Sequence, residues 1–326
     1  MRSLGRIFNI SFSLALAAGL AAVIWQRQAI VDWWKLRGYN APPAIAALAQ
    51  NDAMTAPAKH FFYVNHPRLM TQISDFRSSC SRSEQTIVLG CYHPGQNGIF
   101  IYDVTDTRLD GVEQVTAAHE MLHAAYERLS SDERERIDGL LNDYYINGLT
   151  DERIKNAIDL YRSSEPDELL NEMHSMFGTE IASLPPLLET YYQRYFTDRS
   201  KVVGYSAGYE DEFTNRVNQI NAADKQLAQL KQKIDSSEQA LSAQAAQLDS
   251  DRAQLEAYLD SDNIAAYNAA IPGFNAQVAA YNKAITQLKK DIATYNQLVQ
   301  QRNAIAAELK VLQSAIDTRL TTQAAE

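Results

Sequence analysis

The chain has 326 residues, with 30 Lys and Arg against 40 Asp and Glu, which gives a net charge of −10 at pH 7. That length is enough for two folded units, at roughly 150 residues per domain. An acidic chain without a block of Lys or Arg is poorly suited to neutralise phosphates, which excludes nucleic acid as an expected partner. Two cysteines are too few for a four-thiolate zinc site or an iron–sulfur cluster, so any metal must use histidine and carboxylate ligands.

An uncharged stretch, Ile7–Trp25, lies near the N-terminus, with Arg6 before it and Arg27 after it. At about 1.5 Å per residue it is long enough to cross a bilayer. It predicts one N-terminal transmembrane helix within an anchor and juxtamembrane segment, residues 1–40. A cleaved signal peptide is the alternative, because small residues that suit a cleavage site lie inside the stretch.

Positive residues flank this stretch almost equally, so they do not fix the orientation in the membrane. Cys80 and Cys91 lie close together in sequence, where a single disulfide could close a small loop in an oxidising compartment. Two reduced, half-buried thiols are the alternative. The pair favours an extracytoplasmic location for everything after residue 26. The residues predicted as interfacial anchors are Trp25, Trp33 and Trp34.

The next segment, residues 41–59, is rich in Ala and Pro and predicts a linker that contains a short helix. Phe61–Val64 is typical of a short strand. Thr86–Tyr92 and Ile99–Val104 flank the sequence PGQNG, whose Gly, Pro and Asn are typical of a turn. These two runs therefore predict a β-hairpin.

Helical periodicity then dominates the chain from Asp110 to about Val203. The fold class predicted for residues 60–204 is therefore α+β, mainly α, with a small sheet and a helical bundle. Residues 205–326 change composition to Ala, Gln, Asn, Leu and Lys, and their apolar residues recur every seven positions as in a coiled coil. The members of this series are Phe213, Ile220, Leu227, Ile234, Leu241, Leu248 and Leu255.

Chain breakers at Asp260-Ser-Asp and at Pro272-Gly273 separate this series from a second one that starts at Phe274. Two long helices joined by a breaker predict a long antiparallel coiled-coil hairpin. Such a hairpin serves either as a simple spacer or as a docking surface for a protein partner.

The most informative segment is His119-Glu120-Met121-Leu122-His123. Asp110 and Glu113 predict a capping box, which places the motif about two turns into a helix. Histidines four positions apart lie one turn apart on one face, as two nitrogens must to bind one zinc ion. Glu120, between them, can hold and deprotonate a water at the metal. The alternative is two core histidines beside a solvated Glu120, which would need partners for each buried polar group.

This motif resembles that of the HExxH zinc metallopeptidases, the zincins. It lacks the extended H-E-x-x-H-x-x-G-x-x-H form and is closer to the gluzincin group, in which a later helix supplies a Glu within N-E-x-x-S-D. The corresponding residues here are Asn171-Glu172-Met173-His174-Ser175-Met176, so the resemblance implies Glu172 as the third zinc ligand. Met176 replaces the family's Asp, which leaves the residue that supports a ligand histidine unassigned.

Glu168 and His174 are rivals of Glu172 for the third position, because Glu168 lies one turn before it and His174 carries a ligating ring. The resemblance also implies a donor that stabilises the oxyanion. The candidates near the sequence ETYYQRYF are His174, Tyr191, Tyr192, Arg194 and Tyr195.

The sequence therefore predicts a membrane-anchored zinc metallopeptidase that hydrolyses peptide or protein substrates outside the cytoplasm. Zn²⁺ is its expected cofactor, with His119, His123 and Glu172 as ligands and Glu120 as general base. Two alternatives stay open. One is a non-catalytic, membrane-tethered scaffold that acts through its coiled coil; the other is a cell-envelope hydrolase of peptidoglycan peptides, or the regulator of one.

Overall fold

The computed structural model describes residues 26–80, 89–94 and 98–318. The chain divides into two compact units: unit 1 comprises residues 1–211 and 315–326, and unit 2 comprises residues 212–314. The predicted transmembrane stretch Ile7–Trp25 lies outside the described residues. Among the helices that the structure describes, none combines the length and apolar character that crossing a bilayer requires.

The described part of unit 1 contains nine short helices, one small sheet and the beginning of a long helix. The helices are α1 (Arg27–Leu36), α2 (Pro43–Asn51), α3 (Ala56–Tyr63), α4 (Ile73–Ser79), α5 (Val112–Tyr126), α6 (Ser131–Asn147), α7 (Glu152–Ser164), α8 (Leu169–Glu180), α9 (Pro186–Tyr192) and the start of α10 (Ser200–Asp260). The strands are β1 (Arg68–Met70), β2 (Gly90–His93) and β3 (Gly98–Tyr102). The α+β, mainly α class is confirmed.

The sheet has the strand order β1-β3-β2, so β2 lies at an edge. β1 runs parallel to β3, whereas β2 pairs with β3 in antiparallel register, with Tyr92 opposite Ile99. The predicted hairpin is therefore confirmed for its described residues. Ile99 and Ile101 of β3 are fully buried and direct the central strand into the core of unit 1.

The strand predicted at Phe61–Val64 is wrong, because these residues belong to α3 and its C-terminal cap. The Thr55 hydroxyl caps α3 by accepting a hydrogen bond from the Ala58 amide at 3.3 Å. Phe62 is fully buried on one face of the helix. Aromatic residues fit a half-buried strand and the inner face of a short helix equally well, and here the cap decides.

Residues 41–59, predicted as a linker, pack instead within unit 1 as α2 and most of α3. Ile45, Leu48, Ala49 and Ala58 are buried in its core. Pro43 and Pro57 occupy the first turns of α2 and α3, where a missing amide hydrogen costs nothing. A composition typical of a linker thus also suits two short, closely packed helices.

Helix α5 lies at the centre of unit 1 and packs against α2, α3, α8, β2 and β3. The predicted capping box does not form: Gly111 precedes the helix with φ = 110°, a left-handed conformation that favours glycine. The Glu113 carboxylate instead accepts a hydrogen bond from the Val104 amide at 2.8 Å, so it satisfies the loop after β3.

Unit 2 contains most of α10 and of α11 (Ile264–Ile316), which pack together. Three ion pairs join α10 to α11, and residues later in α10 pair with residues earlier in α11. The two helices are therefore antiparallel, as predicted. The ion pairs that show this are Arg216–Glu308 at 3.4 Å, Asp224–Arg302 at 3.0 Å and Lys233–Asp291 at 2.8 Å.

The predicted heptad series supplies buried residues of this hairpin, among them Ile234, Leu241 and Leu255. The chain turns between Asp260 and Ile264, where the first breaker was expected. Pro272 does not break α11 and lies within it. A proline costs a helix interior about 3 kcal/mol, which the packing of a 53-residue helix along its partner offsets.

Candidate metal centre

Almost every residue of α5 is buried, including four alanines that bring neighbouring elements close to the helix axis. Two polar residues of the motif share this burial: Glu120 is 5% exposed and His123 is 8% exposed. Polar groups in such surroundings need partners, or they lose the free energy of hydration without compensation. The predicted alternative of a solvated Glu120 is therefore wrong.

Glu172 of α8 faces both histidines. Its Oε2 lies 3.4 Å from His119 Nε2, and its Oε1 lies 3.5 Å from His123 Nε2. These contacts are longer than ordinary hydrogen bonds. Four ligands held at 2.0–2.1 Å in a tetrahedron are about 3.3–3.4 Å apart, so the observed spacing fits ligands around zinc better than it fits hydrogen bonds.

Two buried atoms of this cluster have no hydrogen bond to any residue that the structure describes: Glu172 Oε2 and His123 Nδ1. A buried carboxylate oxygen without a partner is costly, and a cation between it and the two Nε2 atoms would remove that cost. The donor set, two imidazoles and one carboxylate, is one that zinc prefers. The residues present therefore fit a metal ion.

Charges in the cluster are strongly coupled. Burial lowers the pKa of His119, but the close approach and charge of Glu172, with the charges of Glu120 and Glu180, outweigh it and raise that pKa to about 9. Burial, assisted by the charge of His119, lowers the pKa of His123. Burial alone would raise the pKa of Glu172, but the two histidines hold it below its usual range. The pocket therefore attracts positive charge.

Glu120 lies near both histidines: one ligand atom of each of the three residues lies within 4.8 Å of the others. The Glu172 oxygens, at 3.4 and 3.5 Å from the two Nε2 atoms, match an edge of a zinc tetrahedron. Glu120 is the second carboxylate at the same place.

Strand β2 approaches Glu120 closely because residue 90 is glycine. A Cβ atom at Gly90 would lie 2.8 Å from Glu120 Oε1 and 2.5 Å from Thr116 Cγ2. Real Cβ atoms do not approach other groups this closely, so any side chain here would displace the carboxylate or the strand. Gly90 thus sets the position of the edge strand against the motif helix.

A cleft of about 420 Å³ contains the four residues of the cluster and has β2 along one wall. Cys91 of β2 is joined to Cys80 at the end of α4 by a disulfide with a Cα–Cα distance of 5.7 Å. Acidic residues dominate the charged groups of the lining, and Arg153 is the one lysine or arginine among its described residues. They are Glu120, Glu127, Glu165, Glu168, Glu172, Glu180 and Glu210.

The rivals for the third ligand position occupy different places. Glu168 lines the cleft and accepts a hydrogen bond from the Asn171 side chain at 3.2 Å. His174 is fully buried outside the cleft lining, where its Nε2 lies 2.9 Å from the Tyr191 hydroxyl. Burial holds the pKa of His174 well below its usual value. The structure thus brings Glu172, rather than His174, to the motif histidines.

The oxyanion donors expected from the sequence also lie outside the cleft lining. Tyr191, Tyr192 and Tyr195 surround His174, and Arg194 pairs with Glu133 at 2.8 Å. Sequence reasoning missed Tyr161, which lines the cleft and whose hydrogen bond to Glu172 lowers the pKa of that carboxylate. No pattern distinguishes this tyrosine, since its role depends on how α7 packs against α8.

Comparisons with known proteins do not identify the chain: no family model, no curated protein and no solved structure matches it.

Proposed function

We propose that this chain is a zinc-dependent metallopeptidase that uses His119, His123 and Glu172 as ligands and Glu120 as general base. The main support is the spacing of 3.4 and 3.5 Å between the Nε2 atoms of the two histidines and the Glu172 oxygens. Glu172 Oε2 is also buried without a hydrogen bond to a described residue. Three protein ligands leave one position open, which is typical of catalytic rather than structural zinc.

Zinc bound here would lower the pKa of a water molecule and polarise the carbonyl that the water attacks. Glu120 accepts the proton of the attacking water and returns it to the leaving amine. Its 5% exposure supports this role, because a carboxylate shielded from bulk water keeps the proton it receives near the reacting atoms.

A peptide is the substrate class that best suits the wall formed by β2. Among the described residues, β2 pairs only with β3, and residues 89–94 line the cleft. An extended peptide can therefore add to this edge through backbone hydrogen bonds, which give affinity without strong side-chain selectivity. Tyr161, beside Glu172, is the candidate donor to the developing oxyanion.

The first experiment measures metal content and cleavage on the full-length protein purified in detergent. We expect about one zinc per chain and hydrolysis of a mixed peptide library, read by mass spectrometry. Glu120→Gln should retain zinc and lose cleavage, because the amide cannot accept the proton. Glu172→Gln should lose most of the zinc, because the carboxylate charge is removed.

Glu168→Gln is the matched control, since this carboxylate lies in the same cleft one turn from Glu172. It should keep its zinc. Zinc loss from Glu168→Gln with zinc retained by Glu172→Gln would transfer the ligand role to Glu168. A protein without zinc would contradict the proposal.

A second candidate function is a non-catalytic scaffold that acts through unit 2. Several large apolar residues of the hairpin are exposed, which suits a partner helix: Val217, Leu259, Ile264 and Val311. Zinc at full occupancy without cleavage of any peptide by the parent protein would favour this function.

A further inference from the structure

Helix α1 presents an aromatic, cationic face that no other described element covers. Trp33 and Trp34 are 57% and 62% exposed, and Ile30 and Val31 beside them are also exposed. The two indole rings lie edge to face with centroids 5.3 Å apart. The guanidinium of Arg37 lies 5.3 and 5.7 Å from their centroids. Two adjacent exposed tryptophans are unusual on a soluble surface and indicate a binding site.

The opposite face of α1 is fixed to unit 1. Asp32 is buried, and its carboxylate accepts hydrogen bonds from Arg128 at 2.6 and 3.0 Å. His60 Nε2 lies 2.8 Å from the same carboxylate, and His66 Nε2 lies 2.8 Å from the Lys35 carbonyl. A helix held by these contacts cannot turn its tryptophans inwards, so their exposure is a property of the folded unit.

The charge of α1 contrasts with that of the whole chain. The chain carries −10, yet Arg27, Lys35 and Arg37 lie on or next to this one helix. Its one acidic residue, Asp32, is neutralised by Arg128 on the inner face. The outer face therefore attracts anions, with the Arg37 guanidinium over both indole rings.

We propose that the outer face of α1 (Ile30, Val31, Trp33, Trp34 and Arg37) lies in the interfacial region of an anionic lipid bilayer. Tryptophan favours this region because its ring is apolar and its N–H can bond to headgroups and water, while Arg and Lys attract anionic headgroups. The uncharged stretch Ile7–Trp25 ends two residues before α1, so a bilayer is the partner nearest in sequence. Asp32 and Arg128 then fix how unit 1 faces the membrane.

The chain itself provides the reporter for a test. It has three tryptophans, so Trp25→Phe leaves Trp33 and Trp34 as the only ones. The full-length variant is reconstituted into vesicles of equal parts phosphatidylcholine and phosphatidylglycerol. We expect blue-shifted emission, several-fold weaker quenching by aqueous iodide than for the unfolded protein, and strong quenching by lipids brominated near the headgroup.

The matched control moves the reporter to another exposed apolar position. Ile146 of α6 is 72% exposed, and Ile146→Trp with all three native tryptophans changed to Phe should be quenched by iodide but not by brominated lipid. Equal lipid quenching at residue 146 would indicate non-specific adsorption and overturn the proposal.

Two further outcomes would also overturn it. Trp33 and Trp34 fully accessible to iodide and unaffected by brominated lipid would leave α1 in water. Protection from iodide without lipid quenching would mean that a protein, or a second copy of this chain, covers the face. Zinc content and peptide cleavage are measured on the same samples, and their loss would not affect this result.

Discussion

Gly90 shows how one missing side chain can determine the geometry of the proposed catalytic cleft. A Cβ at this position would lie 2.8 Å from the Glu120 carboxylate. We expect Gly90→Ala to lower kcat/KM by on the order of 100-fold, since a displacement of about 1 Å can have that effect, while zinc content is unchanged. Steady-state kinetics and metal analysis test this. Gly139→Ala is the control, because nothing lies within 4 Å of the added methyl group, and an equal loss there would contradict the argument.

Asn171 is the candidate for the supporting residue that the sequence left unassigned. His123 Nδ1 and Asn171 Oδ1 are both buried without a hydrogen bond, and Asn171 raises the pKa of His123 against the effect of burial. Zinc binding through Nε2 leaves Nδ1 protonated, and the amide oxygen can accept that hydrogen. We expect Asn171→Leu to weaken zinc binding by about 10–100-fold in competition with a chelator. Unchanged affinity would assign Asn171 to packing alone.

Asp52 is a buried carboxyl that the proposed chemistry does not use. It is fully buried, neither carboxylate oxygen has a hydrogen bond to a described residue, and burial raises its pKa well above the usual value. The folded chain therefore binds a proton that the unfolded chain releases above about pH 4, so stability falls as pH rises from there.

We expect Asp52→Asn to increase the free energy of unfolding at pH 8 by about 1–3 kcal/mol, because the amide never ionises. The gain should vanish towards pH 4, where Asp52 is protonated in both states. Urea unfolding at the two pH values measures it. A gain of equal size at both would show that ionisation is not the cause.

At the scale of elements, β2 pairs with one neighbour, β3, among the strands that the structure describes, and the disulfide from Cys91 to Cys80 attaches it also to the end of α4. Closing a loop of this size contributes about 3 kcal/mol in the chain-entropy view. We expect Cys80→Ser with Cys91→Ser to lower the urea midpoint and raise KM, while zinc content stays constant. Reductant should reproduce the effect in the parent and do nothing to the double variant. An unchanged KM would mean that β2 keeps its position without the bridge.

Local patterns predicted some elements and failed for others for physical reasons. The motif helix α5 and the β2–β3 hairpin followed from helical periodicity and a turn signal, because both are short-range features. Phe61–Val64 was misassigned because its aromatic residues suit a strand or a helix, and the Thr55 cap decided for the helix. Gly111, and not a capping box with Asp110, precedes α5, because the Glu113 carboxylate accepts a hydrogen bond from the loop after β3. No local pattern reveals that contact.

At the scale of the whole molecule, the electrostatics of the cleft depend on its lining, whose described residues include seven glutamates and one arginine. Zinc would offset only part of this negative charge. We expect peptides with Lys or Arg next to the scissile bond to be cleaved on the order of tenfold more efficiently than matched peptides with Glu or Asp, with a preference that shrinks in high salt. Parallel kinetics at low and high ionic strength measure this. Equal rates for both peptide sets would contradict it.

Within the candidate site, residues close together in sequence could be predicted and residues brought together by packing could not. His119, Glu120 and His123 could be found from sequence because they lie within one turn of one helix. Glu172 needed a resemblance, since it lies on α8, 49 residues beyond His123. Tyr161 and Gly90 could not be found, because their importance arises from close approaches between elements distant in sequence.

Unit 1 is discontinuous in sequence, and Ile316, at the end of α11, lines its cleft. During synthesis the residues of the candidate metal centre therefore emerge well before Ile316, which contributes to the lining of the cleft. Messages that end early within the hairpin would yield chains with every proposed catalytic residue but an incomplete cleft. The order of translation thus delays completion of the proposed active site until the end of α11 has been made.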